Sequence, residues 1–473
     1  MQDETLFHQS LSKIYQSIDV ENITSFNNIC ILGVSIIVLA IVWKLLKSLI
    51  SEVYSSFFHP LDRFIDLEPK LSEMKPSTRT SFLASKSRKR IGDFPPVYPN
   101  GWFKICNSWD LSPGQVIYKS MLGLELAVYR AQHSKTVHAI DAYCTHLGAN
   151  LSLGSVNGEC LTCPFHHWSF NGEGKCVSVG DSPLPMPILK KNGQFKSELS
   201  VQDSTLDIAK NKSGKLAESC EQVEECEHRD GIPSQAHTKS YTIIERNDNV
   251  YLWFDAEGRE PHWQPPSVRQ NLFTHGKIAH HIYCHIQEIP ENGPDANHLN
   301  VVHREMRNTF GFVWNIWGAK WQKGEKKEDS HVAYFQVQHV STAMNDRLKI
   351  PFSVVDVKGG QYGPGLVMFE FSTILGKFDL VQTVTPVGPL HQHVEHVLYV
   401  PWYIPRFFAK WFLILMTSFV EQDIPIWNTK TYLPKPVLVR TDGPIGQFRR
   451  WYSQFYSENS PTLKSLSKRS LEW

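Results

Sequence analysis

The sequence predicts an α+β protein built as an N-terminal transmembrane helix, a small antiparallel β domain and a larger α+β domain whose helices lie against a sheet. Three observations carry that reading. Residues 29–50 form an apolar run long enough to span a bilayer. Leu124–Tyr129 and Val250–Phe254 are short apolar and aromatic runs between polar turns, as strands of a small β domain require. A strand-like stretch from about 331 to 400 is followed by Phe407–Phe419, an apolar and aromatic segment with the mass of a core element.

Length and charge leave room for this plan. The 473 residues can hold two or three domains with full cores, and 48 Lys and Arg against 47 Asp and Glu provide no charge excess to attract a nucleic acid. Nine cysteines, spread over the chain, do not read as a disulfide framework.

Taken in order, residues 1–28 are a short acidic tail, and Ile23–Trp43 carries no charge. Lys44 and Lys47 can extend the span to Ile50 by reaching for the interface, with Trp43 as an aromatic anchor. A buried core helix or a cleaved signal peptide fits less well, since no basic segment precedes the run and no small-residue cleavage site follows. Lysines after the span and acids before it predict a single-pass protein of the endoplasmic reticulum with its N-terminus outside and its bulk in the cytosol. Residues 51–95 form a mixed-charge linker, and Pro95-Pro-Val-Tyr-Pro99 closes it and opens the next domain. A first domain is expected over 96–255, interrupted at about 196–238 by a Lys, Glu, Ser and Gln-rich surface insertion, and a second over 256–473.

Two Cys/His pairs dominate the first domain. Cys144-Thr-His146 and Cys163-Pro-Phe-His166 are sixteen residues apart, and each offers one thiolate and one imidazole. That donor set suits a Cys₂His₂ zinc site or a [2Fe–2S] cluster with two thiolates and two imidazoles. The wider text, Cys144-Thr-His-Leu-Gly-Ala-Asn150 and Cys163-Pro-Phe-His-His-Trp-Ser-Phe-Asn-Gly-Glu-Gly174, resembles the two cluster loops of Rieske oxygenases. The resemblance implies that Cys144, His146, Cys163 and His166 bind a [2Fe–2S] cluster. Imidazoles replacing thiolates raise such a cluster to roughly −150 to +300 mV. One departure is His167, where the family most often has glycine. Cys160 is expected to be a small buried thiol.

About 120 residues on, Asp295-Ala-Asn-His298-Leu-Asn-Val-Val-His303 follows a Gly293-Pro294 break. Two neutral imidazoles with one carboxylate and open positions make a facial triad for mononuclear non-haem Fe(II). If a helix starts after the break, Asp295 and His298 share a face, whereas His303 at i+5 from His298 points elsewhere, so a bend or helix end is expected between the histidines. Glu288, Glu291 and Asn292 are weaker neighbours of such a metal. The Asp-x-x-His-x4-His pattern resembles the iron-binding segment of Rieske oxygenases. The resemblance implies His298 and His303 as ligands and Asp295 as an electron-transfer bridge to a Rieske histidine of a neighbouring subunit.

The missing carboxylate is expected 120 residues further on, in Phe419-Val-Glu-Gln-Asp423-Ile-Pro-Ile-Trp427. With the later Asp442-Gly-Pro-Ile-Gly-Gln-Phe-Arg-Arg-Trp451, this segment resembles the C-terminal region of 3-ketosteroid 9α-hydroxylases and of the Neverland family of cholesterol 7-desaturases. That resemblance implies Asp423 as the third ligand; Glu421, two residues away on the same expected helix, is the competitor.

The resemblance covers about Tyr98 to Tyr456. It implies a Rieske domain followed by a helix-grip-like catalytic domain, and a sterol substrate, O₂ and a head-to-tail homotrimer. It also implies the introduction of a 7,8 double bond into cholesterol. No Gly-x-Gly-x-x-Gly follows a strand, so NAD(P)H electrons are expected through a separate reductase. The alternatives are a Rieske monooxygenase hydroxylating another steroid or lipid, and a non-catalytic Rieske electron-transfer protein.

Overall fold

The computed structural model describes residues 60–65, 93–180, 232–305, 313–344, 346–351 and 353–469. One large sheet organises the C-terminal part. Its strands are β1 (Leu61–Ile65), β2 (Leu272–Ile282), β3 (Val313–Lys323), β4 (Val332–Ala343), β5 (Val355–Tyr362), β6 (Leu366–Thr373), β7 (Gly376–Gly388) and β8 (His391–Pro401). They stand in the order β1-β2-β8-β7-β6-β5-β4-β3, with Leu348–Lys349 added on β4. β1 runs parallel to β2, and every other pair is antiparallel. The strand-like stretch 331–400 is therefore sheet almost throughout, because long apolar runs that alternate or are buried on both sides pair most readily with one another.

Three helices border this sheet: α1 (Ala296–Val302), α2 (Arg406–Thr429) and α3 (Ile445–Tyr452). On α2 the residues Ala409, Phe412, Leu413, Thr417, Asp423, Ile424 and Trp427 are buried, a stripe of helical period. Phe412 and Leu413 pack on Phe371, Phe378, Leu380 and Leu398 of the sheet.

The described residues between 93 and 254 build three small sheets. Gly101–Asn107, Ile243–Arg246 and Asn249–Phe254 form one, and Val116–Met121, Leu124–Arg130, Val137–Asp141 and Ser240–Tyr241 a second. Ser155–Asn157, Cys160–Thr162, Ser169–Phe170 and Cys176–Ser178 form the third, which carries the two Cys/His loops. A shared core joins this part to the large sheet: Phe103, Leu126 and Leu252 belong to the same cluster as Val384, Val394, Ile424 and Trp427.

Polar groups reinforce that junction. Buried Lys104 pairs with buried Glu395 of β8 and donates to Asn107 Oδ1 at 2.6 Å, while Thr385 donates to the Lys104 carbonyl at 2.9 Å. Burial alone would raise the Glu395 carboxyl, but Lys104, His393 and Lys277 outweigh it and hold it at about 2. Burial pulls Lys104 below the usual lysine value.

Two expectations are corrected. The α+β architecture with an N-terminal transmembrane helix gives way to a strand-dominated fold with few helices, and among the described residues no helix is long and apolar enough to cross a membrane. The one long helix among the described residues, α2, carries Arg406, Lys410, Glu421, Asp423 and an internal Pro425, and spends its apolar stripe on the sheet. The predicted span, residues 29–50, lies outside the described residues, as does most of the 196–238 insertion. The expected single-pass placement in the endoplasmic reticulum membrane, with catalytic domains facing the cytosol, is corrected with it.

Removing one member of a buried ion pair strands the other. Lys104→Met should therefore destabilise the protein by roughly 3–5 kcal/mol. Lys104→Met combined with Glu395→Leu should recover most of that loss, as read from urea unfolding midpoints.

Candidate functional site

In the first Cys/His loop the Cys144 N–H donates to the Ala149 carbonyl, and the Gly148 N–H donates back to the Cys144 carbonyl. In the second the Cys163 N–H donates to the Trp168 carbonyl and the His167 N–H to the Cys163 carbonyl. Both loops are thus short turns that present Cys and His from one side. Cys144 and Cys163 are buried free thiols, close enough to hydrogen-bond each other. The His146 and His166 rings are 4.7 Å apart and exposed, with His146 stacked on Trp168 at 4.4 Å.

His167 has φ +57°, a left-handed conformation that glycine adopts freely. The family's usual glycine thus marks a backbone requirement that this chain meets with histidine. His166 is the ring that faces His146. Burial pushes the Cys144 thiol up to about 11, so a thiolate there requires strongly positive partners; the irons of a cluster supply that charge. Two buried sulfurs facing two exposed imidazoles fit a Rieske cluster with its histidine edge outward. Cys160 is buried as expected but is disulfide-bonded rather than a free thiol.

The second site forms where α1 ends. Asp295 is the N-cap: its carboxylate accepts from the N–H groups of Asn297 at 3.1 Å and His298 at 3.2 Å. The Asp295 backbone carbonyl meets His298 Nδ1, which leaves Nε2 for a metal; the carboxylate oxygen lies 4.0 Å from that ring nitrogen. Helix α1 stops at Val302, and His303 adopts the non-helical φ −103°, ψ 16°. This end of the helix lets the second imidazole turn back toward the first, with ring centroids 5.3 Å apart. Asn315 and Trp317 of β3 hold the turn by donating to the His303 carbonyl at 3.0 and 3.2 Å.

Asp423 arrives on the buried stripe of α2, with Oδ2 3.3 Å from His303 Nε2. Donor atoms of His298, His303 and Asp423 all lie within 4.8 Å of one another, the one such cluster of three among the described residues. Burial holds His298 below the ordinary imidazole value, which favours the neutral form that binds metal. Two imidazoles and a carboxylate match a facial triad for Fe(II).

The competing acids are engaged elsewhere. Glu421, about 200° from Asp423 around the helix, turns toward β2 and lies 3.7 Å from His280. Glu288 accepts from the His285 N–H and faces Lys430 at 3.5 Å, and Glu291 forms a two-pronged pair with Arg449 of α3. Sequence reasoning missed Gln422, whose Oε1 lies 3.3 Å from His303 Nδ1 and orients that ring. Its position between Glu421 and Asp423 was the available signal.

A cavity opens above the three donors. Trp317, Trp321, Phe335, Phe369, Phe371, Leu380, Phe419 and Trp427 make it largely apolar. Such a cavity suits a large apolar ligand.

Two family models match the chain. Residues 101–188 match the Rieske [2Fe–2S] domain, and residues 252–456 match the 3-ketosteroid 9alpha-hydroxylase C-terminal domain. The chain is 37% identical to the cholesterol 7-desaturase nvd of Hemicentrotus pulcherrimus over 82% of its length and 76% of that protein. It is 24% identical to the oxygenase component of a 3-ketosteroid-9-alpha-monooxygenase from Rhodococcus rhodochrous, over 80% and 89%. Among solved structures, dicamba monooxygenase shares the fold at a TM-score of 0.51 and 16% identity, over 76% of this chain and 98% of that one. The chain is an oxidoreductase with a Rieske cluster and a non-haem iron, and it belongs to the Neverland family of Rieske sterol oxygenases.

Proposed function

We propose that the protein is a cholesterol 7-desaturase, using O₂ and electrons from a separate NAD(P)H-dependent reductase to form 7-dehydrocholesterol. The observation that carries this reading is the meeting of His298, His303 and Asp423 beside a large apolar cavity, in a chain whose relatives bear that name. In this reading Cys144, His146, Cys163 and His166 hold the cluster, and His298, His303 and Asp423 hold the iron. Bound iron supplies O₂ activation. The protein's own contribution is positioning: the aromatic walls hold the sterol ring system, exclude water and present one C–H edge to the metal, since orientation decides between desaturation and hydroxylation.

Electron delivery gives the exposed residues a role. The His146/His166 edge faces solvent, and the Asp295 carboxylate remains 30% exposed at the start of α1. In a head-to-tail homotrimer, Asp295 would bridge to the histidine edge of a neighbouring copy while capping the helix that carries His298. Incubation with cholesterol, NAD(P)H and a Rieske reductase tests the function. A product lighter by two hydrogens with conjugated-diene ultraviolet absorption supports it, whereas a product gaining oxygen identifies a hydroxylase.

His303→Ala and Asp423→Ala should each lose mononuclear iron by metal analysis while keeping the Rieske spectrum, because a facial triad short of one ligand holds Fe(II) poorly. Cys144→Ala should do the reverse and remove the Rieske spectrum.

Asp295→Asn should keep the helix cap, because asparagine caps as well as aspartate, and should therefore retain iron. Its pre-reduced cluster should reoxidise at least tenfold more slowly with substrate and O₂ in single turnover. Reoxidation at the parent rate would reduce Asp295 to a capping residue.

A further inference from the structure

The sheet floor of the cavity is ordered in rows. Directly paired residues on neighbouring strands point to the same face, about 4.8 Å apart. One row runs Trp321, Phe335, Gly359, Phe369, Leu380, and the next runs Val337, Val357, Phe371, Phe378. Both are apolar. The row on the other side differs: Gln361 pairs with Val367, Val367 with Gln382, and Gln382 with His396. One step beyond, Val384 and Val394 belong to the core with Ile424 and Trp427, so this polar row lies where the floor closes.

Gln361, Gln382 and His396 all line the cavity, and apart from the three metal donors the only other polar residue lining it among the described residues is Asn292. All three are buried. The His396 Nε2 and Gln382 Oε1 atoms are 3.0 Å apart, and that contact occupies one end of the carboxamide; the other end has no hydrogen-bond partner among the described residues. The Gln361 amide donates to the Gly363 carbonyl at 3.2 Å, which likewise leaves its oxygen available. Behind them His280, also buried, stands 6.0 Å from the His396 ring. Polar groups in an apolar enclosure cost free energy unless they are paired, so an unpaired carboxamide end lining a cavity marks a place where a ligand's polar atom belongs.

We propose that Gln382, oriented by His396 and flanked by Gln361, is the specificity-determining anchor for the single hydroxyl of the sterol. The apolar skeleton then lies across the two apolar rows. A hydroxyl is suited to this place because it both donates and accepts and so meets either end of a carboxamide. A site that hydrogen-bonds a hydroxyl also rejects the analogue lacking it, because its own polar group is then left unpaired. The assignment rests on the sterol reading above and adds to it the group that recognises the substrate.

The test is equilibrium binding of radiolabelled cholesterol and of cholest-5-ene, the same skeleton without its 3β-hydroxyl, to the metal-loaded protein, with turnover measured separately. The parent should bind cholest-5-ene roughly 10- to 100-fold more weakly than cholesterol. Gln382→Met, close in volume but unable to pair, should shrink that ratio to below about threefold, with the iron content and Rieske spectrum unchanged. Gln382→Asn should retain part of it. Equal binding of the two sterols by the parent overturns the anchor whatever the variants do, as does an unaltered ratio in Gln382→Met. Discrimination without desaturation leaves the anchor standing and overturns the proposed reaction; desaturation without discrimination does the opposite. Failure to bind either sterol overturns both.

Discussion

The packing of α2 on the large sheet is the constraint on which the rest depends. Asp423 lies 120 residues from His303, and nothing local brings them together. What does is the burial of Phe412, Leu413, Ile424 and Trp427 against β2, β6, β7 and β8, each large apolar side chain contributing about 1.5–3 kcal/mol when fully buried. That stripe fixes the rotation of the helix. A rotation of one residue, about 100°, would carry the carboxylate away from the histidines. The same helix forms one wall of the cavity through Met416, Phe419 and Val420, so ligand placement and substrate placement share one rigid element.

The two centres sit in opposite environments, and the chemistry expected of each follows. The Cys/His loops leave their imidazoles at the surface beside exposed Tyr143, Leu147 and Phe165, a surface suited to transient contact with an electron donor. The histidine and carboxylate donors lie beneath a largely apolar cavity, which suits a ligand held by area rather than by charge. The polar row at the closed end adds orientation to that area, which a reaction choosing between neighbouring C–H bonds needs.

Much of the site was legible in the sequence because metal chemistry demands particular side chains at short spacing. Cys144, His146, Cys163 and His166 announce themselves through two tight loops, and His298 and His303 through a break that starts a helix. The end of that helix between the histidines was likewise foreseeable from their angular mismatch. Asp423 required family resemblance, since only tertiary packing separates it from Glu421. The row of Gln361, Gln382 and His396 was invisible: its members sit on three strands, and their relation is a matter of register, which depends on turns and pairings that no local pattern displays. The dominance of strand over helix was also underestimated, because apolar runs buried on both faces do not show a clear period of two. The apolar run at 29–50 is a separate lesson, since hydropathy and its flanking Trp43 and lysines carried the prediction of a spanning helix, and no helix among the described residues is long and apolar enough to cross a membrane.

The central claim is that one helix delivers Asp423, and not Glu421, to a mononuclear iron shared with His298 and His303. Anomalous diffraction at the iron edge from crystals of the metal-loaded protein tests it directly. The account predicts iron density between the two Cys/His loops and a separate single iron among the side-chain donors of His298, His303 and Asp423. A lone iron between His280 and Glu421, or iron confined to the Cys/His loops, would contradict it.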